Sequence, residues 1–452
     1  MPLPTAVRIR DVEFSYEDHA YRTPIKFGGV ALDRATLLNV QVTVETAQGR
    51  RAVGFGSMPL GNVWAFPSRR LTYDQTLGAM KSLAQRLALA YSTCSLPGHP
   101  IEITHSLEPG FVALANQVAE EQRLGEPMPI LSALVAASPF DAALHDGFGK
   151  VHGLSSYRTY GRDFLEPDLG HFLGTAFAGE RLDRYIAPSP VPRLPLYHLV
   201  GALDPLEPED VTRPAGDGLP ETLGEWIRFN GLTHLKIKLN GDDLEWDLER
   251  VLRVDGVASA TQRARGADQW RYSLDFNERC QHVSYLLEFL DRLKQACPQA
   301  FARIQYIEQP TARDLRSQRE NAMHAAARLK PIVIDESLTD LESLLLAREL
   351  GYTGAALKAC KGQTQSLLLA SAIQKLGLFV CVQDLTCPGA SLIHSAGLAA
   401  HVPGVAAIEA NARQYMPQAN APWEARWPGI FRITDGTVDT GVLTGPGLSA
   451  VP

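Results

Sequence analysis

Lys236 and Lys238 close a short β-rich run, Leu232–Leu239, in the order His234-Leu235-Lys236-Ile237-Lys238. Side chains two apart on a strand share a face, so both ammonium groups point the same way. Like charges on one face repel, which predicts a lowered pKa for at least one lysine and a base able to take a proton near neutral pH. Taken alone, the pair reads equally well as a solvated strand terminus. Three further runs each end in a carboxylate: Leu274-Asp275-Phe276-Asn277-Glu278, Tyr306-Ile307-Glu308-Gln309-Pro310 and Val333-Ile334-Asp335-Glu336-Ser337. Three converging anions without compensation are strongly destabilising, so a cation is expected. An all-oxygen donor set favours a hard divalent ion such as Mg²⁺, with water or substrate completing the octahedron. A later run ends Ala356-Leu357-Lys358-Ala359-Cys360-Lys361, and in a barrel Lys358 would face the first two lysines across the metal. A base on each face of one carbon is what removal and redelivery of a proton requires. The last two runs end Gln383-Asp384-Leu385 and Ile408-Glu409-Ala410-Asn411. Their acids can orient a lysine, bond substrate or serve as plain ion-pair partners.

The elements that must position these groups recur from about Pro192 onward. Short β-rich runs lie at Leu194–Leu199, Leu232–Leu239, Tyr272–Asn277, Ile304–Gln309, Ile332–Glu336, Ala355–Lys358, Phe379–Gln383 and Val405–Glu409. Helical patterns fall between them, such as Ser284–Cys297 and Gln363–Leu376. The count and spacing predict a (β/α)-barrel, whose catalytic residues sit at the C-terminal ends of the strands. A doubly wound open sheet alternates in the same way but would carry a Gly-rich phosphate loop after its first strand, and none is present.

The first stretch has a different rhythm. Val7 to Tyr16 and Ala35 to Thr46 alternate apolar and polar residues, and Ala47-Gln48-Gly49-Arg50 reads as a turn into a third strand, Arg51 to Met58. Helical patterns follow at Tyr73–Tyr91, Gly110–Gln122 and Leu131–Val151. The expected domains are an α+β module over residues 1–153, a connector at 154–191 and the barrel at 192–411. A tail at 412–452, with a strand at Phe431–Val442, is expected to pack back on the first module.

With 43 basic and 50 acidic residues, a net charge of −7 argues against a nucleic-acid binder that relies on a broad basic face. The apolar stretch Ile130–Ala137 is far short of a membrane span, and the start MPLPTAVRIR has no signal-peptide pattern. Cys94, Cys280, Cys297, Cys360, Cys381 and Cys387 form no C-x-x-C pair, so neither a zinc site nor a disulfide framework is expected, and a reducing cytoplasm is.

Together the motifs resemble the enolase superfamily, specifically its muconate-lactonizing-enzyme subgroup within the mandelate racemase/muconate lactonizing enzyme family. The matching residues are Lys236-Ile237-Lys238, Asp275-Phe276-Asn277-Glu278, Ile307-Glu308-Gln309-Pro310, Asp335-Glu336-Ser337 and Leu357-Lys358. Phe140-Asp141-Ala142-Ala143-Leu144-His145-Asp146 resembles the helix that leads into that family's barrel. The resemblance covers most of the chain. It implies a TIM-like (β/α)7β barrel with an N-terminal α+β capping domain completed by the C-terminal tail. It further implies Asp275, Glu308 and Asp335 as Mg²⁺ ligands, with Asn277 and Glu336 supporting them from behind. Lys238, with Lys236 beside it, and Lys358 are then the acid/base groups on the two faces of the substrate.

There are departures. Gly362-Gln363 replaces the familiar Gly-Gly after the sixth-strand lysine, and no His ends the seventh strand, Gln383-Asp384-Leu385-Thr386-Cys387-Pro388-Gly389. The His-Asp dyad of mandelate-racemase-like enzymes is therefore missing. Capping loops around Tyr16–Gly29 and Gly56–Ser68 are expected to shape the pocket, with Tyr21, Arg22, Lys26 and Trp64 as candidate contacts, and Asp384 and Glu409 as further substrate contacts. The expected activity is Mg²⁺-dependent removal of the proton α to a small-molecule carboxylate through an enediolate, giving racemisation, epimerisation or cycloisomerisation. The alternatives are an acid-sugar dehydratase, an o-succinylbenzoate-synthase-like lyase and, from another class, a non-catalytic barrel kept for structure or binding. A homo-oligomer without nucleic-acid or membrane partners is expected.

Overall fold

The computed structural model describes residues 2–27 and 30–450. The chain opens with an antiparallel sheet in which β2 (Val30–Thr46) lies between β1 (Val7–Phe27) and β3 (Arg51–Pro59). The first two strands run well beyond their expected ends. Most of the segment read as a loop, Tyr16–Gly29, continues β1, paired with β2 out to Phe27↔Val30; Gly28 and Gly29 lie outside the described residues. The apolar–polar alternation stops there because the ribbon leaves the sheet, and its two faces no longer divide into core and solvent. A register shift between Ala20 and Ile25 admits Pro24, which has no N–H to give to the ladder. Beyond the shift, Ile25 and Ala35 pack on Leu199, Ala412, Tyr415 and Met416, which lays the ribbon against the barrel. Arg22 ties it to the loop that follows the first barrel strand, through Asp217 at 2.6 Å. The second expected loop, Gly56–Ser68, starts inside β3 and then forms a one-turn helix, Asn62–Ala65.

Helix Tyr73–Ser92 starts at a capping box in which Thr72 and Gln75 satisfy each other's backbone N–H. Helix Ile130–His152 is buried along nearly its whole length because the sheet covers one side and barrel elements the other. Strand β3 approaches it so closely that a Cβ on Gly54 would lie 1.9 Å from the Ala143 carbonyl oxygen, and one on Gly56 1.9 Å from that of Pro139. Only glycine permits that contact.

The barrel consists of eight parallel strands: β4 (Arg193–Val200), β5 (His234–Lys238), β6 (Arg271–Asp275), β7 (Ile304–Glu308), β8 (Ile332–Ile334), β9 (Gly354–Leu357), β10 (Phe379–Val382) and β11 (Ile408–Glu409). It closes through Leu196↔Ile408 and Tyr197↔Glu409. Inside, Tyr197, Tyr306, Val333, Ala356, Cys381 and Ala407 form an apolar layer. Two residues further along each strand the side chains point inward again. From β7 through β11 these are Glu308, Asp335, Lys358, Gln383 and Glu409, so a polar layer sits on the apolar one.

The strand expected over Phe431–Val442 is shorter: it is the three-residue β12 (Thr437–Asp439), and it pairs antiparallel with the start of β4, Val438 opposite Leu194. β5 pairs with β4 only from Tyr197 onward, which leaves the Arg193–Pro195 end of that edge open, and β12 takes it, the Leu196 N–H donating to the Gly436 carbonyl at 2.9 Å. The tail meets the first module elsewhere, through Trp423 stacked on Phe55 and the Leu448 N–H on Asp146 at 2.7 Å. Among the described residues no helix is long and apolar enough to cross a membrane.

Gly56→Ala is expected to lower stability by about 3 kcal/mol or more, because the obstructing atom is backbone and cannot swing away. Urea unfolding checks this; an unchanged midpoint would mean that the strand–helix contact is slack.

Candidate active site

Strand register assembles the site. Lys238 pairs with Asp275 across β5 and β6, and Asp275 with Glu308 across β6 and β7, so the three stand in one row at the mouth. Lys236 lies one inward step below. All four are buried. The Lys236 ammonium faces Asp275 at 3.1 Å, Glu308 at 2.9 Å and Glu409 at 2.8 Å. Lys238 pairs with the same Asp275 oxygen. Across the barrel, Asp335 meets Lys358 at 2.8 Å and Lys361 at 3.2 Å.

The repulsion expected to lower a lysine pKa does not prevail at Lys236. Burial pulls its pKa down, but Glu308, Glu409 and Asp275 pull it up by more, and it ends well above the ordinary lysine value. Lys358 is likewise raised, with Asp335 overcoming burial. Lys361 is lowered, because burial there outweighs its share of Asp335. Among the carboxylates, burial would raise Asp335, yet Lys358 and Lys361 bring it down to about 2. Lys238 and Lys236 likewise hold Asp275 well below the ordinary carboxylate range against the effect of burial. Glu308 goes the other way, pushed well above the carboxylate range by burial and by Asp275.

The supporting residues are less uniform. Asn277 donates its backbone N–H to Asp275 at 2.8 Å from a left-handed conformation, φ 47°. Glu336 accepts the Trp64 indole N–H at 2.9 Å; its other oxygen is buried with no partner among the described residues, and burial with Asp335 nearby raises its pKa to about 8. Trp64 comes from the one-turn helix of the first module, and its ring covers the Lys358 ammonium at 4.4 Å. Arg313 holds the Trp64 carbonyl at 3.2 Å while bonding Glu278 at 2.8 Å.

The candidate substrate contacts scatter. Glu409 is spent on Lys236 and on the Asp384 N–H at 3.1 Å. The Asp384 oxygens accept from the Thr386 and Asn411 N–H groups, both at 3.0 Å, which fixes the turn after β10. Lys26 reaches from the ribbon to Asn240 at 3.4 Å and, with Lys238 and Asn277, lines a space of about 10 Å³, room for one water. Tyr21 is half-buried on the ribbon near Thr386 and Asp384. A cavity of about 840 Å³ opens beside Tyr21, Arg22, His198 and Trp226, and none of the clustered lysines or carboxylates lines it. Sequence reasoning missed Lys361 as a partner of Asp335, although its spacing from Lys358 was on view, and it missed Gln383, which bonds Glu308.

Asp275, Glu308 and Asp335 are each turned onto an ammonium, so among the described residues no three His, Cys, Asp or Glu side chains are gathered in metal-binding geometry as the chain stands without an ion.

No curated protein matches the sequence. Solved structures do. A dipeptide epimerase from Enterococcus faecalis V583, complexed with Mg and L-Leu-L-Tyr, is 16% identical with a TM-score of 0.63, covering 98% of this chain and 99% of that one. The L-Ala-D/L-Glu epimerase from Bacillus subtilis is 18% identical with a TM-score of 0.60, covering 98% of each chain. An enolase from Bradyrhizobium, complexed with magnesium and mandelic acid, is 16% identical with a TM-score of 0.62, covering 99% of this chain and 96% of that one. These likenesses establish the fold. Residues 219–452, more than half of the chain, match the family described as enolase C-terminal domain-like. The chain belongs to the enolase superfamily, in its mandelate racemase and muconate lactonizing enzyme group.

Proposed function

We propose that the protein is a Mg²⁺-dependent enzyme that removes the proton α to the carboxylate of a small molecule, forming an enediolate that is resolved by racemisation, epimerisation or cycloisomerisation. The observation that carries this reading is the placement of ammonium groups from opposite sides of the barrel, Lys238 on β5 and Lys358 after β9, around buried Asp275, Glu308 and Asp335. The donor set fits a hard divalent ion in kind, being three carboxylates on adjacent strands. The raised Glu308 and the unpartnered Glu336 oxygen mark a site with more anionic capacity than its lysines satisfy. Asp275, Glu308 and Asp335 would hold Mg²⁺, which when bound offsets the negative charge that builds on a substrate carboxylate as its α-proton leaves.

The chain's own residues do the rest. Lys238 Nζ, beside the small space at the mouth, exchanges the α-proton from one face of the substrate. Lys358 Nζ, held under the Trp64 indole, serves the other face. Lys236 lies deeper and holds Asp275, Glu308 and Glu409 in place rather than meeting substrate. The ribbon and Trp64 keep water from the carbanion equivalent.

Incubation with Mg²⁺ in D₂O and pooled carboxylates (amino-acid derivatives, dipeptides, sugar acids and succinylated compounds) is expected to place deuterium at an α-carbon, read by mass spectrometry. Absence of exchange in a metal-loaded protein across the pool counts against the reading. With a substrate in hand, Lys238→Ala and Lys358→Ala should each cut turnover by roughly 10²–10⁴-fold. Neither strands a buried carboxylate, because Lys236 still faces Asp275 and Lys361 still faces Asp335, so the melting temperature should hold. Loss in only one variant would reduce the scheme to a single base. Mg²⁺ added to metal-stripped protein should raise the melting temperature, by the equivalent of about 2.7 kcal/mol at a hundred times its Kd; a flat titration at millimolar Mg²⁺ would exclude the metal.

A further inference from the structure

The seventh strand brings an uncharged side chain to the polar layer. Gln383 follows β10 directly, shares the inward face of Cys381 and is fully buried. Its Nε2 donates to one Glu308 oxygen and, at 3.2 Å, to the Tyr306 hydroxyl. Its Oε1 is buried with no partner among the described residues. Turning the amide over would set that oxygen against the Glu308 carboxylate, so the bond to Glu308 dictates the orientation even though it leaves an acceptor unpaired. The backbone that carries the amide is pinned as well. The Gln383 N–H bonds the Leu357 carbonyl at 2.9 Å, and Asp384 holds the turn that follows.

Glu308 is therefore gripped at both oxygens, by the Lys236 ammonium at 2.9 Å on one and by the amide on the other. The two grips differ in kind. An ammonium competes with a cation for the carboxylate, whereas a neutral N–H orients it without adding positive charge. We propose that Gln383 is a positioning residue that presents Glu308 to Mg²⁺ through this neutral bond and so sets the affinity of the site for the ion. The proposal rests on the functional reading above.

The test is a calorimetric Mg²⁺ titration of the metal-stripped full chain and two variants, with a melting curve for each. Gln383→Leu keeps the size and removes the donor. Gln374→Leu makes the same change at a glutamine whose side chain bonds the Tyr185 and Ala370 carbonyls, away from the cluster. The expected result is a Kd raised about 10–100-fold in Gln383→Leu and unchanged in Gln374→Leu. Should Gln383→Leu fail to fold, Gln383→Asn, one methylene too short to reach Glu308, is titrated with the same expectation. Equal affinity in the wild type and the Gln383 variant overturns this proposal and leaves the proposed function standing. No binding by the wild type overturns both.

Discussion

The buried ammonium of Lys236 is the interaction on which the barrel mouth depends. Three carboxylates meet it at 2.8–3.1 Å, and none of the four groups keeps access to water. A buried charge without partners costs several kcal/mol, so this arrangement holds only while every member stays in place. It also bears on closure. Strand β11 contributes only two residues to the ladder with β4, and the Lys236–Glu409 pair reaches over β4 to join β5 to β11. A side-chain tie thus reinforces a joint where backbone pairing is only two residues long.

The first module is part of the same arrangement. Gly54 and Gly56 let β3 lie directly on helix Ile130–His152. That helix reaches the barrel through Asp141, which accepts from the Thr364 N–H and hydroxyl, both at 2.7 Å, a few residues past Lys358. From the end of β3 the chain turns at Gly61 and presents Trp64 over the Lys358 ammonium. Arg313, from the barrel, holds the Trp64 carbonyl and so fixes the position of the ring. Cap and barrel meet around this lysine, which the first module contacts through Trp64 and approaches through the Asp141–Thr364 bonds.

The chemistry at the strand ends was legible because buried parallel strands are short apolar runs, and polar residues at their ends stand out. The eight runs and their terminal Lys, Asp and Glu residues needed nothing beyond period-two reasoning. The ribbon was not legible, since Tyr16–Gly29 loses its alternation once neither face is wholly buried. The direction of the Lys236 pKa was misread for a different reason. Repulsion from Lys238 was weighed alone, while the carboxylates one and two strands away, already identified, count for more inside the barrel. Gln383 gave no signal because an uncharged residue at a strand end resembles any other. The bond from Trp64 to Glu336 joins residues 272 apart and could come only from the folded chain.

The seventh strand constrains the reaction by what it withholds. An acid–base residue there would need a side chain free to approach the substrate and exchange a proton. Asp384, the titratable residue at that strand end, has its oxygens committed to the Thr386 and Asn411 N–H groups, and burial with Glu409 beside it raises its pKa to about 7. Gln383 carries no proton to exchange. On the proposed function, proton transfer is thereby left to Lys238 on β5 and Lys358 at the end of β9, on opposite walls, with a neutral amide on the wall between β9 and β11. Two bases facing each other across one carbon suit inversion at that carbon. On that same reading, a substrate that carries a leaving group finds no further acid on the seventh strand to assist its departure.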